Sequence, residues 1–337
     1  MMKRMGMALF VLCLLLTITW GWDGPLLAAT AEKPVQLKIA TLDVGSAWYI
    51  YGATFAELIN KELPSGSRVD VLPYSGSIGN PKLVTKGDAD MGLVMGIVGK
   101  WAHEGKHVFD TRYPNLRALI GGIDQYYYAI ITREDLNMNS LKEIKEKKLA
   151  VKIVTQPKGT LNAVMSYMVL EAYGISKEDL IKFGGTITHT STDVIASEIR
   201  DGRANLWFMP ATAGHPSIAS VAVTTKVRFL PYEPEIIQKL SDEYGFSPAV
   251  LPGRTFQGQD KDVLMIGYKT CLFGSVNMPD NVAYAVVKAL CEGEQKMKAV
   301  HKGMQVFSPA KAWDPKITGL PLHPGAEKYY KEKGYIK

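Results

Sequence analysis

The feature that most constrains the fold is an order of strand, polar loop and helix that occurs twice, about 114 residues apart. In the first copy Leu37 and Ile39 alternate as a strand, and Asp43-Val44-Gly45-Ser46 opens a helix. That helix carries Trp48, Tyr51, Phe55, Leu58 and Ile59 at steps of three and four, which is one apolar face. A second strand near 69–72 leads through Tyr74-Ser75-Gly76-Ser77 to a short helix ending about Lys86. Gly87-Asp88-Ala89-Asp90 then turns the chain into a strand over 91–95. In the second copy a strand over 149–154 meets the loop Gln156-Pro157-Lys158-Gly159-Thr160. The following helix places Leu161, Val164, Met165, Met168, Val169 and Ala172 on one face and closes at Gly174. A strand near 181–183 leads to a Ser/Thr-rich loop over 188–192, and Thr190-Ser191-Thr192-Asp193 has the form of a helix start. Gly202-Arg203-Ala204-Asn205 precedes a strand over 206–209. Three correspondences keep their order: Gly45-Ser46 with Gly159-Thr160, Ser75-Gly76-Ser77 with the 188–192 loop, and Gly87–Asp90 with Gly202–Asn205. Alternating strands and helices predict α/β layers on mostly parallel sheets, and the repetition predicts two related lobes.

Such an arrangement locates a site. Ligands of open α/β sheets bind at the carboxyl ends of the strands. Each polar loop here puts small residues and free backbone N–H groups at a helix N-terminus. That end carries roughly half a positive charge and suits a carboxylate or phosphate. Two lobes with such loops face to face make a cleft that a ligand gripped from both sides closes. The competing reading is that these Gly, Ser and Thr residues only cap helices.

Lys3 and Arg4 precede a charge-free run over 5–22, and Ala29 and Ala31 follow with the spacing of a cleavage site. This predicts a signal peptide over 1–31 and an exported, periplasmic protein; an uncleaved anchor is the alternative. The net charge of +6 comes from 39 basic and 33 acidic residues that alternate along the chain, so no nucleic-acid partner is expected. With 337 residues, two lobes with separate cores fit better than one. Past the leader, Cys271 and Cys291 suit either a disulfide or two buried thiols. No metal or cofactor is expected. His189, Ser191 and Asp193 suggest a secreted hydrolase, but residues two apart rarely build a nucleophile–base pair. No G-x-S-x-G elbow, phosphate loop or dinucleotide fingerprint accompanies them.

At several of these residues the chain resembles the TAXI family, the extracytoplasmic solute receptors of TRAP transporters. The resemblance rests on the loop ending in Trp48-Tyr49, then Gly52 and Ala56-Glu57-Leu58-Ile59-Asn60. It continues through Ser75-Gly76-Ser77 with Asn80, Gly87-Asp88-Ala89-Asp90, Ser140-Leu141-Lys142 and Gly159-Thr160. The tail Pro321-Leu322-His323-Pro324-Gly325-Ala326 with Tyr329-Tyr330 is its most specific part. The resemblance implies an α/β type II periplasmic-binding-protein fold, two lobes joined by two crossing segments. These are expected over 121–125 and 227–232, so that 32–124 and 230–337 form one lobe and 125–229 the other. It also implies a monomer that delivers a small organic anion, a carboxylate or amino acid, to a TRAP-type membrane permease. A membrane sensor kinase is the alternative recipient.

The expected contacts to the anionic end are Gly45, Ser46, Ser75, Ser77 and Thr160, with Asn80 as donor and acceptor. Gln156, Lys158 and Gly159 close from the second lobe, and Trp48, Tyr49, Tyr126 and Phe208 supply flat walls. The chain departs from the family pattern at Asp43-Val44-Gly45-Ser46, at Met95 and Gly96 where polar residues are usual, and at Pro157-Lys158. Met95 and Gly96 make that wall less polar and Lys158 adds a cation, which predicts a ligand with one anionic end and a less polar remainder.

Overall fold

The computed structural model describes residues 33–337, apart from Gly45, Ser75 and the side chain of Asp193. The expected signal peptide lies outside the described residues. The chain begins with β1 (Gln36–Ala40), α1 (Ala47–Glu62), β2 (Arg68–Leu72), α2 (Asn80–Lys86), β3 (Met91–Met95), α3 (Gly96–Glu104) and β4 (Leu116–Ile120). It continues with β5 (Tyr126–Arg133), α4 (Lys142–Glu146), β6 (Lys152–Thr155), α5 (Leu161–Ala172), α6 (Lys177–Lys182), β7 (Thr186–His189), α7 (Thr192–Arg200) and β8 (Leu206–Ala211). Next come α8 (Pro216–Thr224), β9 (Val227–Leu230), α9 (Pro234–Tyr244), β10 (Ser247–Leu251), β11 (Val263–Tyr268) and β12 (Thr270–Ser275). The tail holds α10 (Asp280–Glu292), α11 (Glu294–Val300), α12 (Pro315–Thr318) and α13 (Pro324–Glu332).

Local chemistry explains most boundaries. Ser46 and Thr160 sit in extended conformation before α1 and α5, and each hydroxyl accepts the N–H three residues on, at Tyr49 and Ala163. The strand expected near 181–183 is instead the end of α6. Ser176 and Asp179 form a reciprocal capping box, with hydrogen bonds of 2.9 and 3.2 Å, that commits the segment to a helix. The strand follows as β7, inside and just before the expected 188–192 loop.

Two sheets result. The first has the order β2-β1-β3-β12-β4, with β1 parallel to β2 and β3, and β12 antiparallel to β3 and β4. The second has the order β10-β11-β5-β8-β6-β7, with β9 beside the far half of β5. In β3 the alternation sends Met91 and Leu93 into one apolar cluster with α1, α10 and α13, and Val94 into another with α3. Each such fully buried side chain contributes about 1.5–3 kcal/mol.

The chain leaves the first sheet through 121–125 and returns at Lys269, between β11 and β12. The return expected over 227–232 is therefore corrected. Those residues form β9 and its exit, paired along β5 from Arg133↔Val227 to Ile130↔Leu230. The Tyr232 hydroxyl donates to the Tyr128 carbonyl at 3.0 Å and anchors that exit to the second sheet. One apolar cluster runs through both sheets. Its bridge is Trp101 of α3, whose Nε1 donates to the Tyr244 carbonyl at 2.9 Å and whose ring packs edge-on against Phe246.

Cys271 on β12 and Cys291 on α10 are both free and buried. Burial pushes their thiols upward, Cys291 to about 12, so both remain protonated and inert at neutral pH. Among the described residues no helix is long and apolar enough to cross a membrane, and no group of three or more His, Cys, Asp or Glu is placed to hold a metal ion.

Candidate functional site

Strand directions place the site. Thr270, just after the return at Lys269, lies opposite Met95, so the carboxyl ends of β3 and its parallel neighbours flank the crossing. Tyr127, just after the outward crossing, lies opposite Ala211. The carboxyl ends of β8 and its parallel partners therefore flank the same crossing from the second sheet. Two hollows of about 480 Å³ lie at the far ends, one lined by Arg133, Arg200 and Lys226 and the other by Gln36, Asp90 and Ser275. The strand directions outweigh them, because loops and helix starts converge only on the crossing side.

Each sheet carries the same pair of devices at these ends. Beside the caps Ser46 and Thr160, a buried asparagine ties strand ends together. Asn80 Nδ2 donates to the carbonyls of Ala40, Thr41 and Leu93 at 2.8–3.2 Å. Asn162 Nδ2 donates to Thr155 Oγ1 and to the Phe208 carbonyl at 3.2 and 3.3 Å. Both Oδ1 atoms are buried, without a partner among the described residues. Asn80, expected at the ligand, is thus a fully buried internal strut; its counterpart Asn162 was not singled out in the sequence because only its position beside Thr160 hinted at it.

Other expected contacts divide by burial. Gly45 and Ser75 lie outside the described residues. Ser46 is half-buried and accepts from Tyr49 N–H at 3.1 Å, while Ser77 accepts from Met95 N–H at 3.1 Å. The first amides of α1 and α5, at Ala47, Trp48, Leu161 and Asn162, have no backbone partner among the described residues, as at any helix start. Tyr49 and Tyr126 are half-buried, and Tyr126 stacks on Tyr268 at 5.5 Å. Gln156 is stitched to α7 through Thr192, and its carbonyl meets His189 Nδ1 at 2.9 Å. Lys158 and Gly159 are exposed, and Lys158 edges a hollow of about 80 Å³ with Tyr167, Lys177 and His189. Thr160 spends its hydroxyl twice, accepting from Ala163 N–H and donating to the Pro157 carbonyl.

Three expectations are corrected by packing. Phe208 is fully buried and stacked over Tyr128, so it presents no wall. Trp48 is buried at 4% exposure, with its Nε1 on Thr270 Oγ1 at 3.1 Å. Gly96 gives its N–H to the Lys269 carbonyl at 2.9 Å, and a Cβ there would lie 2.2 Å from the Ile317 carbonyl oxygen. The segment before Gly319 thus covers the start of α3. Met95 beside it is half-buried.

Sequence reasoning passed over Asp124, although it placed a crossing there. Asp124 is fully buried, and its Oδ1 accepts Thr270 N–H at 3.0 Å. Burial, the dominant effect, pushes its carboxyl up to about 6 against the opposing hydrogen bonds from Thr270 and Tyr51. With Ile123 N–H on the Thr270 carbonyl, this knot joins the outward and return segments. His215 and His301 were passed over as well: burial holds both imidazoles down, His215 to about 4.

The chain is similar in structure to the periplasmic binding protein BugD, with 18% identity, a TM-score of 0.52, and coverage of 91% of this chain and 99% of that one. It is similar to MatC from Rhodopseudomonas palustris with bound malate, at 11% identity and TM-score 0.54 over 90% of this chain and 100% of that one. It is also similar to PhnD1 from Prochlorococcus marinus in complex with methylphosphonate, at 10% identity and TM-score 0.53 over 90% and 100%. These likenesses give the fold, a type II periplasmic-binding-protein arrangement of two α/β lobes. Residues 39–334 match the NMT1-like family, and the chain belongs to it.

Proposed function

We propose that this protein is a periplasmic receptor that captures a small organic anion between its two sheets and delivers it to a membrane permease without transforming it. The observation that carries the reading is the matched pair of capped helix starts, Ser46 on α1 and Thr160 on α5, at strand ends flanking one crossing. Unpaired first-turn amides favour an anion there. Lys158, Lys269 and Lys302 border the same region, and among the described residues none has an ion-pair or side-chain hydrogen-bond partner. Half-buried Tyr49, Met95 and Tyr126 supply apolar area for the rest of the solute. Delivery to a TRAP-type permease, as the resemblance to TAXI receptors implies, extends this reading, with a monomer as the working form.

Malate and methylphosphonate, bound by two proteins of the same fold, set the size and charge for a first screen. Calorimetric titration with mono- and dicarboxylates and amino acids tests the proposal. A monocarboxylate with an apolar remainder is expected to bind best; a preference for short dicarboxylates would reject the one-anionic-end form. A solute at 100 times its Kd raises stability by about 2.7 kcal/mol when only the folded chain binds it.

A further inference from the structure

The two sheets touch on a second flank, away from Trp101. The loop after β8 brings Gly214 against the turn 301–303: a Cβ on Gly214 would lie 3.5 Å from Lys302 Cδ. His215 follows, its Nδ1 buried without a partner among the described residues, and His301 is close enough to press its imidazole further down. The hydrogen bonds at His301 dictate its state. Gly303 N–H, which can only donate, points at His301 Nδ1 at 2.9 Å, and the Tyr51 hydroxyl lies 3.3 Å from the same atom. Nδ1 therefore carries a lone pair, and the ring is neutral in this arrangement.

We propose that this contact is a proton-sensitive clasp: protonating His301 at Nδ1 breaks its bond to Gly303 and drives the Gly214–His215 loop away, parting the sheets on that flank. Added protons put two donors head to head at Nδ1 and place a cation against His215 and Lys302. The groups facing the clasp are few. From α1 comes Tyr51, with buried Asp124 behind it; from the second sheet, His215; from the turn itself, Lys302. On α11, Lys296 pairs with Glu57 and Lys298 with Glu294, so their charges are already met. Asp124, its carboxyl raised to about 6, takes up its own proton as pH falls, but that removes a buried charge and acts against opening. The Trp101–Tyr244–Phe246 packing, with the His107 ring against Trp101 and Tyr244, holds the opposite flank as a pivot, and burial keeps His107 neutral more readily there.

The clasp needs no solute, so its test is separate from that of the proposed function. In the full chain carrying Cys13→Ser, Lys86→Cys and Lys182→Cys, spin labels report the distance between the first and second sheets; buried Cys271 and Cys291 do not compete. From pH 8 to pH 5, without added solute, the ratio of long- to short-distance populations is expected to rise about tenfold or more. His301→Asn, whose Oδ1 keeps an acceptor for Gly303 without titrating, is expected to stay at the short distance at pH 5. Unchanged distances in the parent labelled protein would overturn the proposal without any histidine variant. So would the same rise in His301→Asn, including a rise abolished only by Asp124→Asn.

Discussion

The carboxyl ends of the two sheets use the same parts to different ends. Both have a hydroxyl cap, Ser46 or Thr160, and a buried asparagine, Asn80 or Asn162, that gathers strand-end groups. In the first sheet the surroundings are sealed: Ile317 covers Gly96, Trp48 is bonded to Thr270, and Asn80 meets three carbonyls. In the second sheet Lys158 and Gly159 stand in solvent, and a Cβ on Gly159 would meet nothing within 4 Å. The difference separates two tasks that one motif serves. On the proposed function, the first lobe would offer a rigid wall, and the second an exposed loop that can adapt to what it meets.

Substitutions at matching places sharpen this contrast. The largest loss is expected for Gly96→Ala, because the added methyl meets backbone and not a movable side chain. Destabilisation of about 3 kcal/mol in a urea titration is expected, and a loss under 0.5 would mean that the covering segment is loose. Asn80→Ala follows, at about 2–3 kcal/mol, since it leaves strand-end carbonyls buried without a donor. Asn162→Ala, with one carbonyl and one hydroxyl to lose, is expected to cost about half as much. Equal losses at the two asparagines would erase the distinction between sealed and open ends.

Asp124→Asn tests the knot between them through pH. Its carboxyl, raised to about 6 in the folded chain, favours folding below about pH 4 and loses that contribution as pH climbs through 6. Asparagine keeps an oxygen for Thr270 and never ionises. The variant is therefore expected to gain up to about 3 kcal/mol at pH 8 and to converge on the parent near pH 4, read from Tm at each pH. A gain that is equal at both values would show that charge is not the cause. The smallest stability effect belongs to Lys158→Ala, within about 0.5 kcal/mol. Its carboxylate affinity is nonetheless expected to fall severalfold in calorimetry, and unchanged affinity would move the anion's cation to Lys269 or Lys302.

The repeated strand–loop–helix order was readable because hydrophobic period and caps are local. α5 ends at Ala172, with Gly174 just beyond it in the left-handed region, and α1 begins at its expected cap. Where a short apolar run stood alone, as at Ile181, periodicity could not tell strand from helix, and the capping box at Ser176 decided. The return point was misplaced for a different reason. Val227–Leu230 has the same alternation whether it crosses between sheets or joins one, and only pairing along β5 distinguishes the two.

What the sequence by itself determined, then, is the alternation of elements, their duplication and the polar caps at both helix starts, all set by neighbours a few residues away. Only the tertiary structure decided which polar groups are spent inside and which face the gap. Asn80 and Phe208 vanished into the interior, while Asp124, His215 and His301 emerged at the junction. Burial and hydrogen-bond partners come from residues as far apart as Asp124 and Thr270, and no local pattern encodes that meeting.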